Sequence, residues 1–284
     1  YIDTYHRSGL YPLDLPSGLG MEGVGVITAV APSSAYKEGD RVAYGLGPPG
    51  SYSESRNIQE SKIIKIPDFI NDESAASIML KGMTVEYLVE RTFKVNSSHT
   101  VLLHAAAGGV GLLACQWLKH IGAKVIGTVG NEEKAALAKN NGCDEVILYR
   151  EEAFDKKVLE ITEGEGVDVV YDGVGKETAL MSLNCLKPLG MLVLFGNSSG
   201  NSPPIDPGLL ATKGSLFLTR PTLMTYCASR QEMVKSANRV FELLGNSALR
   251  PAIGKVISLS NIVQVHEDLE KRKTNGAIVL KNDY

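Results

Sequence analysis

The chain has 284 residues, enough for two hydrophobic cores of ordinary size. Charged residues make up 21% and hydrophobic residues 44%, a composition typical of globular proteins, and the formal net charge of −3 argues against nucleic acid or acidic membranes as partners. No apolar run approaches the roughly 20 residues that a membrane-spanning helix needs, so we expect no membrane partner.

The spacing of the cysteines and the identity of the first residue give information about the cellular compartment of the protein. A disulfide framework or a zinc knuckle needs clustered thiols, whereas these cysteines are scattered singly, which favours a reducing, cytoplasmic setting. The first residue is Tyr1 rather than Met, so we expect the natural N-terminus to lie upstream, and the chain is silent about targeting segments. The cysteines are Cys115, Cys143, Cys185 and Cys227.

Residues 1 to about 70 have the glycine, proline and short alternating runs of an irregular β-rich unit. A helix is predicted at about 73 to 93, and no repeat or low-complexity tract interrupts the chain. The predicted strands of this first unit are GVGVITAVAP, EGDRVAY and SESRNIQESKIIKIP.

From residue 100 to about 219, short runs of Val, Ile and Leu alternate with helical stretches. Continuous apolar strands separated by helices predict a parallel sheet covered on both faces, in the doubly wound arrangement. The strands are TVLLHAA, AKVIGTV, DEVILY, GVDVVYD and GMLVLFG, and the helices are GVGLLACQWLKHIG, NEEKAALAKNNG, REEAFDKKVLEIT and KETALMSLNCLKPLG.

The last segment returns to a mixed pattern. A helix at about 229 to 245 has apolar residues at three- and four-residue steps, and the strands IGKVISL and GAIVL flank another short helix. The sequence therefore predicts a sheet domain inserted into a discontinuous β-rich domain. We place the catalytic domain at 1–82, the nucleotide-binding sheet domain at 83–222 and the return to the catalytic domain at 223–284.

A glycine-rich loop joins the first parallel strand to its helix. The stretch AAGGVG fits the dinucleotide fingerprint G-x-G-x-x-G, with Ala106 in the place of the first glycine. Gly108 would let the backbone approach a pyrophosphate, and Gly111 would let the helix pack on the strand, so that phosphates lie at the helix N-terminus. A tight strand-to-helix turn is the alternative, but the strand–helix alternation around the loop favours a nucleotide.

The end of the second parallel strand predicts which nucleotide binds. An NAD site usually has Asp or Glu there, and this strand ends in Val129. Thr128 and Gly130 leave room, and Lys134 lies one helical turn away, where it would bind a 2′-phosphate. These residues favour NADPH over NADH, although Lys134 would also serve as a solvated helix charge beside two glutamates.

Three further loops follow the strands at the sheet edge where doubly wound proteins bind their ligands. We expect these loops to converge on the cofactor, although the residues of any one loop are also typical of an ordinary turn without a binding role. They are Tyr149-Arg150, DGVG at 172–175 and FGNSSG at 195–200.

No set of metal ligands is apparent. Met21 precedes Glu22 where a zinc-dependent dehydrogenase would have a histidine, and a thioether is a poor zinc ligand. The five histidines form no pair at helical spacing, and His104 lies within a strand, which favours a core role. We therefore predict chemistry without a metal.

Together these motifs resemble the zinc-independent quinone oxidoreductase (zeta-crystallin-like) branch of the medium-chain dehydrogenase/reductase superfamily. The match covers the whole chain but begins after the family's first strands, so the resemblance implies a GroES-like catalytic domain that lacks its N-terminal strands. The matching stretches are YIDTYHRSGLYP, LPSGLGMEGVGVI, GDRVAY, LKGMTVEYL, HAAAGGVGLLACQW, VVYDGVG, FGNSSG and TRP.

The resemblance also implies roles for individual residues. Tyr5 and Tyr11 correspond to tyrosines beside the nicotinamide and the substrate, although they would also serve as core aromatics. Arg220 corresponds to an arginine that closes over the cofactor, although an inter-domain ion pair would explain it too. The residues implied to bind NADPH are Thr84, Gly108, Val110, Gly111, Gly130, Lys134, Tyr149, Asn197, Ser198, Arg220 and Arg272.

The function implied is direct hydride transfer from NADPH to a quinone, with Tyr5 or water as the proton donor and one-electron reduction left open. Reduction of α,β-unsaturated ketones is the alternative activity, and a non-enzymatic crystallin or RNA-binding role is the alternative of another class. The family also implies a homodimer, and the apolar last strands around GMLVLFGN and GSLFLTR predict pairing at that sheet edge.

Overall fold

The computed structural model describes residues 1–283. Its first part contains one short helix, three short strands and a longer helix that continues as one π-helical turn. In chain order these are α1 (Ile2–Ser8), β1 (Gly23–Val26), β2 (Arg41–Tyr44), β3 (Ile64–Lys65), α2 (Asp72–Glu86) and the π-helix Tyr87–Thr92.

Strands and helices alternate through the middle of the chain, as the apolar pattern predicts. The elements are β4 (Thr100–Leu103), α3 (Gly109–Ile121), β5 (Lys124–Val129), α4 (Glu132–Asn140), β6 (Glu145–Leu148), α5 (Phe154–Ile161), β7 (Val167–Asp172), α6 (Ala179–Ser182), β8 (Leu186–Leu194), α7 (Pro207–Thr212) and β9 (Phe217–Thr219).

The last part has three helices and two strands, with short 3₁₀ turns before α10 and elsewhere in the chain. The elements are α8 (Leu223–Tyr226), α9 (Arg230–Gly245), β10 (Ile253–Ser258), α10 (Ile262–Glu270) and β11 (Ala277–Lys281), and the 3₁₀ turns are Glu60–Lys62, Leu183–Cys185 and Leu259–Asn261.

A six-stranded parallel sheet forms the centre, in the order β6-β5-β4-β7-β8-β9. The order reverses beside β4, which is the doubly wound arrangement and confirms the predicted fold class. Successive side chains of each strand point to opposite faces, so Leu103 belongs to the core shared with α2, α3 and α9, while Leu102 belongs to the core shared with α5. The switch point brings the ends of β4 and β7 to the ligand-binding edge.

Several predicted elements are shorter than the sequence pattern suggests. The fourth predicted helix is only α6 and a 3₁₀ turn, because β8 begins at Leu186 and takes up the residues LKPLG. In the first unit, the first strand is only Gly23–Val26 and the third is only Ile64–Lys65. The helix was overextended because a short apolar run suits a helix and a strand equally well.

The smaller sheets lie in the two terminal parts of the chain. β1, β2 and β3 pair antiparallel, whereas β10 and β11 pair parallel. The predicted boundary at residues 82 and 83 falls inside α2, whose Gly82 packs against Val240 of α9. Among residues 1–283, no helix combines the length and the apolar character needed to cross a bilayer.

Candidate functional site

A cleft of about 1660 Å³ opens at the carboxyl edge of the parallel sheet and is lined by residues from both terminal parts of the chain. The fold therefore brings together residues that are far apart in the sequence. Of the residues implied by the resemblance, those lining this cleft are Tyr5, Tyr11, Thr84, Gly108, Val110, Gly111, Gly130, Lys134, Tyr149, Ser198, Arg220 and Arg272.

The glycine loop has the geometry of a phosphate cradle. Gly108 is the N-cap of α3, so the unpaired amides of the first helical turn face the cleft. A Cβ at Gly111 would lie 2.3 Å from the carbonyl oxygen of Ala105, so only glycine lets α3 start this close to β4. The loop therefore fits the pyrophosphate of a dinucleotide.

A cationic cluster lies beside the end of β5, and the last residue of that strand, Val129, is not acidic. Lys134 Nζ donates a hydrogen bond to the carbonyl oxygen of Arg272 at 2.8 Å. Burial lowers the pKa of Lys134, and the neighbouring guanidinium groups of Arg150 and Arg272 lower it further, against the opposing effects of nearby Tyr149 and Glu133. A bound anion would offset the repulsion between Lys134 and its two cationic neighbours, so this end of the cleft fits a 2′-phosphate.

Arg272 spans two loops at the sheet edge. Its guanidinium donates to the Tyr149 hydroxyl at 3.3 Å and to the Glu177 carboxylate at 3.0 Å. The next residues lie against the glycine loop, because the Gly276 N–H donates to the Ala107 carbonyl oxygen at 3.2 Å. The C-terminal part of the chain thus crosses the cleft beside the predicted phosphate sites.

Two tyrosines from the N-terminal part meet the loop after β8. The backbone N–H of Asn197 donates to the Tyr5 hydroxyl at 3.1 Å, and the Asn197 amide donates to the Tyr11 hydroxyl at 3.2 Å. Arg220 also donates to the Tyr11 hydroxyl, at 2.6 Å. Asn197 therefore stands behind the tyrosines and not on the wall of the main cleft, and Arg220 is in contact with Tyr11.

Burial raises the pKa of the Tyr5 phenol, which keeps its proton at neutral pH. The Tyr5 ring packs against the Tyr11 ring with centroids 5.0 Å apart. Because the Tyr5 oxygen accepts its hydrogen bond from Asn197, its own proton stays available to a group in the cleft. The arrangement can therefore hold and donate a proton.

Thr84 and Ser198 complete the wall of the cleft. Thr84 lies on α2, and its hydroxyl donates to the Leu80 carbonyl oxygen at 2.7 Å. The Ser198 carbonyl oxygen accepts from the Tyr1 hydroxyl at 3.4 Å. Both residues therefore help to position neighbouring elements as well as to line the cleft.

His104 lies buried beneath the loops, in the core role that its strand position predicts. One ring nitrogen is 2.9 Å from the Thr128 hydroxyl and the other is 2.9 Å from the Ser182 hydroxyl. Burial lowers the pKa of His104, against the opposing charge of Asp172, so the ring is neutral at physiological pH.

The stretch that suggested a comparison with metal-dependent enzymes has other partners. Met21 is buried, and its N–H donates to the Asp3 carboxylate at 3.0 Å. Glu22 accepts from the Leu80 N–H at 2.7 Å and pairs with Lys81 Nζ at 2.6 Å. Within the described part of the chain, no three His, Cys, Asp or Glu side chains are grouped as metal ligands.

Sequence reasoning missed one charged residue of this site, Glu177, whereas it named Arg150 in the loop after β6. Glu177 pairs with Arg272, and it stands a few positions after the DGVG loop that the strand-end rule selects. The Arg150 guanidinium lies close to Gly130, with Nε 3.4 Å from where a Cβ would be. Arg150 adjoins Tyr149, so the same rule points to it, whereas nothing in the sequence shows that Glu177 faces Arg272.

Two sequence profiles match this chain. The profile described as "Alcohol dehydrogenase GroES-like domain" matches residues 1–68, and the profile described as "Zinc-binding dehydrogenase" matches residues 109–242. The first match falls on the first unit, and the second runs from the start of α3 into α9 and so includes five of the six parallel strands.

Individual relatives match nearly the whole chain. A quinone oxidoreductase of Pseudomonas aeruginosa is 46% identical over 99% of this chain and 87% of its own length. A 2-haloacrylate reductase of a Burkholderia species is 41% identical over 99% of this chain and 86% of its own. The structure of Escherichia coli quinone oxidoreductase complexed with NADPH superposes with a TM-score of 0.95, at 45% identity over 98% of this chain and 87% of that one.

We predict that His104 makes the fold sensitive to acid. The folded protein resists protonating this ring, whereas the unfolded chain binds a proton near pH 6.5, so stability falls as the pH drops below about 6.5. One such group changes the free energy of unfolding by at most about 1.4 kcal/mol per pH unit. The free energy of unfolding in urea, measured above and below about pH 6.5, should fall less on acidification for His104→Gln than for the wild type.

The control is His120→Gln, which changes an exposed histidine on α3. It should lose stability on acidification as steeply as the wild type does. If His104→Gln loses stability on acidification as steeply as the wild type and His120→Gln do, the His104 ring is not the cause of the acid sensitivity.

Proposed function

Because the chain belongs to the zinc-independent quinone oxidoreductase branch of the medium-chain dehydrogenase/reductase superfamily, we propose that it is an enzyme that uses NADPH to reduce a quinone. Three bacterial relatives that are named quinone oxidoreductases are 44% to 46% identical over nearly the whole chain. The substrate is a small molecule that shares the cleft with the cofactor.

A single observation carries this proposal: one cleft contains the glycine loop, the Lys134 cluster and the paired tyrosines. The loop would hold the pyrophosphate, and the cluster would hold the 2′-phosphate. Tyr5 and Tyr11 would then border the space left for the acceptor. The cofactor would therefore lie along the cleft with its adenosine end at Lys134 and its other end beside the protonated Tyr5 phenol.

When bound, NADPH supplies the hydride for the reduction. The chain contributes binding, orientation and a proton. Gly108 and the first turn of α3 fix the pyrophosphate, Asn197 fixes the directions of both tyrosine hydroxyls, and Tyr5 holds a proton for the reduced acceptor. Positioning of this kind lowers the barrier by removing the entropy cost of bringing two molecules together.

We also propose a homodimer that pairs through β9 and resides in the cytoplasm. β9 is the edge strand of the sheet, and three apolar side chains beside that edge are exposed: Leu189 by 66%, Phe217 by 55% and Leu218 by 38%. An apolar edge strand of this kind favours pairing with a second copy. Cytoplasmic residence rests on the four cysteine thiols, which are all free.

A second candidate activity is reduction of an alkene that bears a carboxylate. Arg220 lines the cleft, and its guanidinium donates to the Tyr11 hydroxyl and to the Pro221 carbonyl oxygen. No acidic side chain among residues 1–283 pairs with it, so it is available to an anionic acceptor. The 2-haloacrylate reductase relative acts, by its name, on such a compound.

The first prediction from the proposed function concerns cofactor choice. Lys134→Ala should weaken NADPH binding by about ten- to a hundredfold, because a charge-assisted hydrogen bond contributes about 1.5–3 kcal/mol. NADH binding should change little. Titration calorimetry with both cofactors measures the difference, and Lys139→Ala, on the same helix but exposed, is the control. Equal losses for both cofactors would contradict the assignment.

The second prediction separates the two activities. The wild type should oxidise NADPH when a small benzoquinone is added, and steady-state rates with 2-chloroacrylate test the alternative. Arg220→Ala should lose at least about tenfold in kcat/KM for 2-chloroacrylate relative to the benzoquinone if the guanidinium holds the carboxylate. A higher KM for NADPH with both acceptors would instead indicate the cofactor contact that the resemblance implies.

The third prediction concerns assembly. Phe217→Asp and Leu218→Asp should each run as monomers in size-exclusion chromatography with light scattering, because a charge at the paired edge opposes pairing. Leu216 lies in the same segment but is buried in its own chain's core, so a charge there would disturb the monomer itself. Val263→Asp, exposed on α10, should leave a dimer intact. A monomeric wild type would refute the proposal.

A further inference from the structure

Residues 272–276, which we call the strap, cross the cleft between α10 and β11. The strap begins at Arg272 in a left-handed conformation, with φ of 57°, which is uncommon for a residue with a side chain. Five hydrogen bonds then hold it to the parallel-sheet side. They run from the Arg272 carbonyl to Lys134, from the Arg272 side chain to Tyr149 and Glu177, from Asn275 Nδ2 to Glu133 Oε1 at 2.8 Å, and from Gly276 N to Ala107 O.

The Arg272 guanidinium has a single acidic partner in the described part of the chain, the Glu177 carboxylate at 3.0 Å. The pair lies at the rim of the cleft, with side-chain exposures of 34% for Arg272 and 56% for Glu177. Arg272 and Lys134 thus both bind groups of the chain itself: Arg272 pairs with the Glu177 carboxylate, and Lys134 donates to the Arg272 carbonyl oxygen. The Glu177 carboxylate offers the guanidinium the same kind of charge-assisted acceptor as a phosphate oxygen.

We propose that Glu177 is a competing anion that sets the affinity for 2′-phosphorylated cofactors. It holds Arg272 while the cleft is free, and an entering 2′-phosphate takes over the guanidinium. This inference rests on the proposed use of NADPH. NADH has no 2′-phosphate, so it leaves the Arg272–Glu177 pair intact and is indifferent to Glu177.

The exchange is feasible because the pair that breaks is weak and the pair that forms is strong. Ion pairs as exposed as Arg272–Glu177 contribute little net stability, since solvent screens both charges. A phosphate accepts parallel hydrogen bonds from a guanidinium and a further one from a lysine. Glu177 therefore lowers the affinity for NADPH without abolishing it, and it speeds release of the oxidised cofactor by recapturing Arg272.

The test compares the dissociation constants of NADPH and NADH, measured by calorimetry without any acceptor, for the wild type and Glu177→Gln. We expect Glu177→Gln to bind NADPH about two- to fivefold more tightly, which is the worth of an exposed ion pair. NADH affinity should not change. Glu152→Gln is the matched control, because Glu152 carries the same charge on the same cleft but makes no hydrogen bond to Arg272 among residues 1–283. It should leave both affinities as they are.

A double-mutant cycle with Arg272→Ala tests whether Glu177 acts through Arg272. In the Arg272→Ala background, Glu177→Gln should no longer tighten NADPH. Persistence of the gain there, or an equal gain from Glu152→Gln, would overturn the proposal in favour of a general charge effect. Weaker binding of both cofactors to Glu177→Gln would overturn it in favour of a pair that keeps the strap closed.

Failure of the proposed function is distinguishable from failure of this inference. Quinone reduction does not enter the binding measurement, so a chain that binds NADPH but reduces no quinone refutes the proposed activity and leaves the role of Glu177 standing. A chain that reduces quinones while Glu177→Gln leaves NADPH affinity unchanged refutes only the inference.

Discussion

The close approach of α3 to the end of β4 is the constraint on which the site depends. With 2.3 Å between the Ala105 oxygen and a Cβ at Gly111, no side chain fits at that position. Because α3 starts this close to the strand, its free amides point into the cleft instead of into solvent. The backbone of the same loop also pairs with the strap, because Gly108 and Gly276 form a β-bridge. The predicted phosphate site and the position of the strap therefore both depend on the close approach of α3 to β4.

The cleft is held together by contacts between parts of the chain that are far apart. At one end, Asn197 fixes two tyrosines from the N-terminal part, and at the other end Lys134 and Glu177 fix Arg272 from the C-terminal part. The two ends are themselves joined, because Arg7 of α1 is 3.1 Å from His266 of α10 and also pairs with Glu270.

The periodicity of apolar residues predicts secondary structure well where many residues repeat one pattern, and less well in short segments. The alternation predicted the five strands from β4 to β8, because a strand buried on both faces needs a continuous apolar run. The apolar run GSLFLTR indicated β9, which is largely exposed. The fourth predicted helix was mostly wrong, since LNCLKPLG is short enough to suit either state and pairing beside β7 made its last part a strand. Lys134 was predictable from the missing acid at Val129, whereas its hydrogen bond to the Arg272 backbone was not.

The sequence by itself determined the doubly wound sheet, the glycine loop at its switch point, the absence of an acid at the end of β5 and the family to which the chain belongs. These features are local, because each depends on residue type and spacing within one strand–helix unit. Only the tertiary structure decided that Asn197 stands behind Tyr5 and Tyr11, that Arg220 meets Tyr11 and that Glu177 occupies Arg272. Those contacts join residues more than ninety positions apart, and the packing that brings them together leaves no periodic trace in the sequence.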